Sequence, residues 1–458
     1  MIKNIDNADY ISRMQNLLKE DFDKYVESIS NPAKKGLRVN LNRLSVNEFL
    51  KLNTFSLEAI PSIDSGFFYN DDKGIGTHPY HHAGLYYSQE PASMMPVNAL
   101  SKIKDFSGCI ALDLCSAPGG KTSQLSVLVG SNGLVVSNEI VPKRASILRG
   151  NVERLGLKNV VVTSASIPKF CNNFLSLADI VLVDAPCSGE GMFRKNDKAI
   201  LEWNVESVKA NAIRQSEILE SAYSTLNGDG YLVYSTCTFS IEEDEGVLLE
   251  FLDKHPDLEV VNIDSSIKDI STSLTSLNDK NCDNFRRFYP HHNIGEGQFL
   301  AILHKTSERL TEIKSNFRLA ETSGNEGNLA KAFLKSTLGH SDFDLGKVGN
   351  VVFMLPLRKV GICKLPVLSV GVDLGEYDKG VFKPHHHFFM AYGSSVKNQL
   401  NLSVSDSRVI DYLRGNQIVA DGVADGYVAI LVDGYPVGYG KCKGGVIKNH
   451  YPKGLRNM

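Results

Sequence analysis

At 458 residues the chain is too long for one domain of ordinary size, and its 42% hydrophobic and 22% charged residues exclude a disordered or fibrous protein. A net charge of -3 excludes a globally basic, polyanion-coating protein, so any nucleic-acid surface must be a local patch. Eight cysteines with no CxxC pair argue against a thiolate zinc site and a disulfide framework, which leaves free thiols in a reducing, cytoplasmic setting.

The start, MIKNIDNADY, is polar and lacks the basic-then-apolar layout of a secretory signal. No apolar run approaches a membrane span, so no membrane partner is expected. Ile11, Met14, Leu18, Phe22, Tyr25 and Ile29 recur at helical spacings and predict one amphipathic helix, ended by Pro32. KKGLRVNL then reads as a strand with Lys34, Lys35, Arg38 and Arg43 on or beside it. Those cations form either a solvated face or a contact with phosphates. Residues 1–100 thus read as a small α+β unit for RNA binding.

From about residue 108, apolar runs alternate with helical patterns: Ile110–Leu114, Val135–Glu139, Val160–Thr163, Ile180–Ala185 and Tyr231–Cys237. Between the second and third, Ala145, Leu148, Val152 and Leu155 mark a helix closed by Gly156; between the fourth and fifth, Val208, Ala212, Leu219, Ala222 and Leu226 mark another. This rhythm predicts an α/β domain over 101–305, a parallel sheet covered on both faces. Ligands in such sheets gather at the carboxyl ends of the strands. Asp113–Lys121, Glu139, Asp184–Cys187 and Cys237 all fall there, which points to a single active site.

Residues 306–385 carry few signals and read as a connecting domain, and 386–458 as a small β-rich module. In it, YVAILVDGYPVGYGK reads as two strands about an Asp433-Gly434 turn. The tail carries Lys441, Lys443, Lys448, Lys453 and Arg456 with His450 and Tyr451 and no acid, a strip suited to RNA. Cys109, Cys171, Cys282, Cys363 and Cys442 read as buried apolar residues or surface accidents. The histidine clusters His81-His82, His291-His292 and His385–His387 lack partners at ligand spacing, so no metal is expected.

LDLCSAPGGKTSQL, Leu112 to Leu125, reads as strand, tight turn and helix start, with Gly119 and Gly120 permitting close approach of a ligand. A phosphate-binding P-loop needs glycine six residues before Lys121, where Cys115 stands, and no G-x-G-x-x-G is present. What remains is a nucleotide-like cofactor, with Glu139 ending the second strand where a carboxylate can accept ribose hydroxyls.

CSAPGGK, DAPCSGEGMF and YSTCTFS, in this order and spacing, resemble the RNA cytosine-5 methyltransferases that use S-adenosylmethionine. GLRVN, QEPASM, GEGQFLAIL and IKNHYPKGLR extend the resemblance over almost the whole chain and narrow it to the RsmF-type enzymes of the Nol1/Nop2/Sun superfamily. The resemblance implies a Rossmann-like class I methyltransferase core and a PUA-like C-terminal module. It implies that Cys115, Ser116, Ala117, Pro118, Gly119, Gly120 and Lys121 wrap the methionine and ribose of the cofactor, that Glu139 holds the ribose, and that Asp184 lies beside cofactor and base. One departure is the run VTSASIPK, which lacks the aspartate such enzymes often carry near the adenine; Ser166, or Ser164, is the substitute donor.

Strand-end positions alone do not separate the two thiols. The resemblance assigns the attack to Cys237 and the release step to Cys187. Asp184 at its strand end is placed to protonate N3 as general acid, and Lys121 either pairs with Asp184 and tunes it or is a helix-start cation. The acids Glu242–Glu245 read as a helix start whose N-terminus favours a thiolate at Cys237. The implied substrate is a cytosine in small-subunit (16S) ribosomal RNA and the implied state a monomer. Transfer RNA is the runner-up. A non-catalytic RNA-binding assembly factor is the reading from another class, and the intact cysteines and cofactor turn count against it.

Overall fold

The computed structural model describes residues 7–70, 74–195, 197–263, 265–274, 277, 279–310, 320–322, 324–362 and 365–456. Cys363 lies outside the described residues. The first amphipathic pattern forms two helices, Ala8–Leu18 and Phe22–Ser30, rather than one. A short 3-10 turn, Lys19–Asp21, breaks it, with Lys19 at φ 49. Tyr10, Met14 and Tyr25 are buried against Phe193, Trp203, Val208 and Phe239, so these helices brace the central domain. The hydroxyls of Tyr10 and Tyr25 share a 2.6 Å hydrogen bond.

Strands β1 (Lys35–Val39), β2 (Leu57–Ala59), β3 (Gly66–Tyr69) and β4 (Tyr86–Ser88) form an antiparallel sheet in the order β2-β3-β1-β4. Arg38 on β1 is buried and donates to Gln89 Oε1, to the Gly120 carbonyl and, at 2.6 Å, to Ser123 Oγ. This member of the basic cluster therefore ties the small sheet to the glycine turn, a third role beside the solvated face and the phosphate contact.

The central sheet is built from β5 (Ile110–Asp113), β6 (Leu134–Asn138), β7 (Val160–Thr163), β8 (Ala178–Asp184), β9 (Leu226–Thr236), β10 (Leu258–Val260), β11 (Arg286–Phe288) and β12 (Gln298–Lys305). Its order is β10-β12-β9-β8-β5-β6-β7; β5 to β9 run parallel and β12 antiparallel. Every residue of β5, β6 and β7 is buried, because helices such as Gly120–Val129 and Pro142–Leu155 cover the sheet. Each Val, Ile or Leu so enclosed contributes about 1.5–3 kcal/mol relative to exposure, which is why these strands read as unbroken apolar runs.

Beyond this sheet, β13 (Ala320–Glu321), β14 (Leu345–Val348) and β15 (Val351–Met354) precede β16 (Val367–Val370), which adds antiparallel to β7. With β17 (Val372–Asp378) and β18 (Val381–Pro384), the first three make a second sheet. The last sheet has the order β19-β21-β22-β23-β20, with β19 (Gln399–Leu402), β20 (Ile418–Val419), β21 (Gly426–Val432), β22 (Tyr435–Lys443) and β23 (Val446–Asn449). Asp433 and Gly434 join β21 to β22 with φ 48 and 88, the left-handed pair that a two-residue hairpin requires.

The first and last sheets share one core: Leu37, Val39 and Phe49 pack with Val409, Tyr412 and Ile430. Tyr451 is buried there, its hydroxyl 2.6 Å from His82 Nδ1, so it is not free to stack on a base. At the same junction burial, with His385, His387 and His82 alongside, pushes His386 down to about 3. The unfolded chain therefore takes this proton near pH 6.5 and the folded chain does not. The stability His386 carries is complete above that pH and is lost as pH falls toward 3. A loss of about 2 kcal/mol by pH 5 is expected from this group. Urea midpoints at pH 7.5 and 5 check it, and His386→Gln is expected to shrink the difference. An equal difference in the variant would refute the assignment.

Candidate active site

Chain order runs outward in both directions from β5 and β8, so the crossovers leave a crevice at the carboxyl ends of those two strands. A cleft of about 320 Å³ occupies it. Asp113 ends β5 and Asp184 ends β8, and both line the cleft.

The glycine turn forms one wall. Gly119 is left-handed at φ +111, and a Cβ on Gly120 would stand 3.1 Å from Gln89 of the small sheet. Ser116 locks the turn in place: its Oγ donates to the Asp113 carbonyl at 2.7 Å and accepts from Asn138 N at 3.0 Å. Cys115, Ser116, Ala117, Pro118, Gly120 and Lys121 line the cleft. Burial raises the Cys115 thiol well out of its ordinary range, so it serves packing rather than chemistry.

Asp113 is fully buried. Thr122 Oγ1 donates to its Oδ2 at 2.7 Å, but Oδ1 has no partner. Burial pushes its pKa up to about 7. Asp184 is better supplied: Lys121 Nζ pairs with its Oδ2 at 2.8 Å, and Ser235 Oγ and Gln298 Nε2 donate to Oδ1 at 2.8 and 3.4 Å. The Lys121–Asp184 pair that the sequence suggested is thus present.

Sheet register brings the two thiols together. Asp184 on β8 sits opposite Ser235 on β9, so the residues just past each strand become neighbours. Cys187 Sγ and Cys237 Sγ are 3.4 Å apart, and Cys237 faces the cleft. Gly191 N donates to the Cys237 carbonyl at 2.7 Å and holds that loop.

The acids after Cys237 do open a helix, through a wide π turn, Glu242–Gly246, that runs into Val247–Lys254. Glu243, Asp244 and Glu245 are nevertheless fully buried. Glu243 reaches the Cys187 loop through Ser188, so the acids partly oppose a thiolate beside this helix start, as their composition suggested. Asp244 accepts from Thr236 Oγ1 at 2.6 Å, and Glu245 accepts from Arg287 Nε at 2.7 Å.

Glu139 ends β6 buried; its carboxylate accepts from Val141 N at 3.0 Å and pairs with Arg144 at 3.1 Å. Arg144 also donates to the Ala117 carbonyl at 3.0 Å, joining Glu139 to the glycine turn. Ser166 is exposed at the start of helix Ile167–Cys171, makes no side-chain bond to it, and is not among the residues lining the cleft. Asp113, Ser235 and Gln298 carry no assigned role in the sequence reading. The signal for Asp113 was its strand end; Ser235 and Gln298 depend on pairing of β12 with β9, which the sequence does not display. Among the described residues no group of three His, Cys, Asp or Glu is arranged to hold a metal ion, and no helix is long and apolar enough to cross a membrane.

The sheet order and the cleft at its switch point define a Rossmann-like class I methyltransferase core. Three family models match in sequence: the N-terminal domain of 16S rRNA methyltransferase RsmF over residues 7–91, 16S rRNA methyltransferase RsmB/F over 104–304, and the methyltransferase RsmF PUA domain over 399–457. The chain belongs to the RsmF-type family of methyltransferases. Ribosomal RNA small subunit methyltransferase F of Shewanella sp. (strain ANA-3) is 32% identical over 454 residues, covering 94% of this chain and 93% of that one. The protein of the same name from Aliivibrio fischeri (strain MJ11) is 31% identical over 449 residues, with 94% and 93% covered. A methyltransferase homologue from Pyrococcus horikoshii has a solved structure that is 29% identical with a TM-score of 0.58, over 66% of this chain and 98% of that one. NSun6 from the same organism, 21% identical with a TM-score of 0.57 over 66% and 99%, shares the fold.

Proposed function

We propose that the protein methylates C5 of a cytosine in 16S ribosomal RNA, with S-adenosylmethionine as donor, through a transient bond between Cys237 and C6 of the base. The observation that carries this is the pair of sulfurs 3.4 Å apart beside a cleft that also holds the Lys121–Asp184 pair. Incubation with donor carrying a labelled methyl group and small-subunit RNA tests it. Label in RNA, mapped to a bisulfite-resistant cytosine, is expected; unlabelled RNA refutes it.

The cleft suits the donor. Its ammonium would supply the partner that Asp113 Oδ1 lacks, and the glycine turn leaves room that side chains would fill. Cys115 through Lys121 would wrap the methionine and ribose, Glu139 would take the ribose hydroxyls, and Ser166 is the side chain proposed for the adenine edge. When bound, S-adenosylmethionine supplies a methyl group on a positively charged sulfur and keeps the bonding pair as a neutral thioether.

The residues of the chain do the rest. C5 of cytosine is a poor nucleophile while the ring is aromatic. Cys237, as thiolate, gives its electron pair to C6; the C5–C6 π pair moves to C4–C5, the C4–N3 π pair moves to N3, and N3 takes a proton that we assign to Asp184. C5 is then an enamine carbon able to accept the methyl group. Once methylated, C5 loses its proton to Cys187, the C5–C6 double bond re-forms, the S–C6 bond breaks with its pair on Cys237, and N3 returns its proton to Asp184. Cys187 enters this step as thiolate, its own proton having passed to solvent, and the proton it takes from C5 is the one the reaction releases.

The target base must be unpaired or flipped from its stack, at a cost of a few kcal/mol. Lys441 and Lys448 are exposed and directly opposite one another on β22 and β23, with Lys441 over the Tyr427 ring at 5.5 Å. Two like charges side by side favour a bridging anion, and we assign them to RNA phosphates. The two relatives named ribosomal RNA small subunit methyltransferase F support ribosomal RNA ahead of transfer RNA. The proposal includes a cytoplasmic, monomeric enzyme.

Glu139→Gln is expected to weaken donor binding roughly tenfold, the scale of a lost charge-assisted hydrogen bond, with little change in stability. Titration calorimetry checks it, and unchanged affinity would remove Glu139 from the ribose site.

A further inference from the structure

We propose that Glu243, which does not line the cleft, is the positioning residue that separates the roles of the two thiols, tying the Cys187 loop to the Cys237 loop and setting a fixed negative charge on the Cys187 side. The proposal rests on the reading of Cys237 as nucleophile.

Three elements converge on this one carboxylate. From the Cys187 loop, Ser188 N donates to Oε1 at 2.9 Å and Ser188 Oγ to Oε2 at 2.5 Å. From the Cys237 loop, Thr238 Oγ1 donates to Oε2 at 3.2 Å and also shares a 2.7 Å bond with Ser188 Oγ. From helix Val205–Thr225, Gln215 Nε2 donates to Oε1 at 3.1 Å and to the Pro186 carbonyl at 2.9 Å. Ser188 N, Gln215 Nε2 and the two hydroxyls, one of whose protons is shared between them, favour the ionised carboxylate and oppose the burial that raises Glu243. The carboxylate is fully buried, so its charge acts at short range with little screening.

The asymmetry lies in Ser188. Two of the four bonds come from the residue next to Cys187, and only one, the longest, from the neighbour of Cys237. The shared hydrogen bond with Cys237, burial and the Glu243 charge all hold the Cys187 thiol above its ordinary range. One proton lies between the two sulfurs and either can be its donor; held above its ordinary range, Cys187 is the basic sulfur suited to take the C5 proton once its own has passed to solvent. Ionisable groups facing this cluster include Tyr234, whose hydroxyl donates to the Glu243 carbonyl at 2.7 Å, with Glu190, Asp244 and Arg13. The π turn makes the arrangement feasible. Its wider winding turns all three acids inward together, Glu243 to Ser188 and both Asp244 and Glu245 to Arg287.

The test uses the full chain and iodoacetamide, with modification of Cys187 followed by mass spectrometry from pH 6 to 10. In a Cys237→Ala background, Glu243→Gln is expected to speed alkylation of Cys187 roughly tenfold at pH 8 and to lower its pH midpoint by about one unit, as loss of a nearby charge does. Equal rates and midpoints would overturn the proposal. Glu243→Asp in the otherwise unaltered enzyme keeps the charge and shortens the clamp. It should cut turnover roughly tenfold with the Cys187 midpoint unmoved; undiminished turnover would overturn the positioning role. Should the Gln variant not fold, Ser188→Ala removes one clamp bond and is expected to lower turnover roughly fivefold, unchanged turnover again counting against the proposal. Failure of the underlying reading shows separately: if Cys187→Ala forms no covalent RNA adduct with either Glu or Gln at 243, Cys237 is not the nucleophile, whatever alkylation reports.

Discussion

Replacing Cys237 with alanine is expected to lower methyl transfer by at least about 10³-fold and to leave donor binding nearly unchanged. The size follows from the chemistry, since without a nucleophile at C6 the ring keeps its aromatic electrons and C5 has nothing to give. Replacing Cys187 has a different signature. The adduct forms and is methylated, but the C5 proton has no acceptor, so a protein–RNA species survives denaturing electrophoresis. The double variant should give no such species, because the bond being trapped is the one Cys237 makes. A trapped species from Cys237→Ala, with none from Cys187→Ala, would exchange the two roles.

Replacing Arg287 with methionine is expected to cost about 3–5 kcal/mol of stability. Its guanidinium is 1% exposed and is enclosed by Glu245, by Asp244 at 3.2 Å and by the Phe239 carbonyl at 3.0 Å. Removing the cation leaves two buried carboxylates bare, the costly way to break such a site. Burial already raises Asp244 well above the usual carboxylate range, with Arg287 opposing. Removing all three charges at once, with Asp244→Asn and Glu245→Gln added, is therefore expected to recover more than half of the loss. Urea denaturation followed by circular dichroism measures both. A single variant within about 1 kcal/mol of the parent would show that the charges are solvated and the site is not closed.

The strands of the central sheet were legible because burial on both faces turns them into apolar runs. Their ends were legible because a cysteine or an aspartate is out of place there. The glycine turn could be read as a cofactor cradle from Gly119, Gly120 and the failure of the P-loop pattern at Cys115. Long-range pairing hid the rest. Ile11 through Ile29 show a helical face but not what it packs on, nor that the chain breaks at Lys19. Arg38 looks like any surface cation until Gln89 and Ser123 are brought to it. Glu243 through Glu245 have the composition of an exposed helix start, because the same acids serve either an end dipole or a buried network. Only the register of β8 against β9 sets Cys187 against Cys237, although both were singled out.

The core that Leu37, Val39 and Phe49 share with Val409, Tyr412 and Ile430 joins segments from opposite ends of the polypeptide. During synthesis the early segment leaves the ribosome several hundred residues before its companion. Until then its share of that core has only early residues such as Phe67, Tyr80 and Tyr86 to pack on. Folding of the β19–β23 module therefore closes the molecule as a clasp closes a ring, and a chain cut before it is expected to expose the apolar edge that Leu37, Val39 and Phe49 share with it.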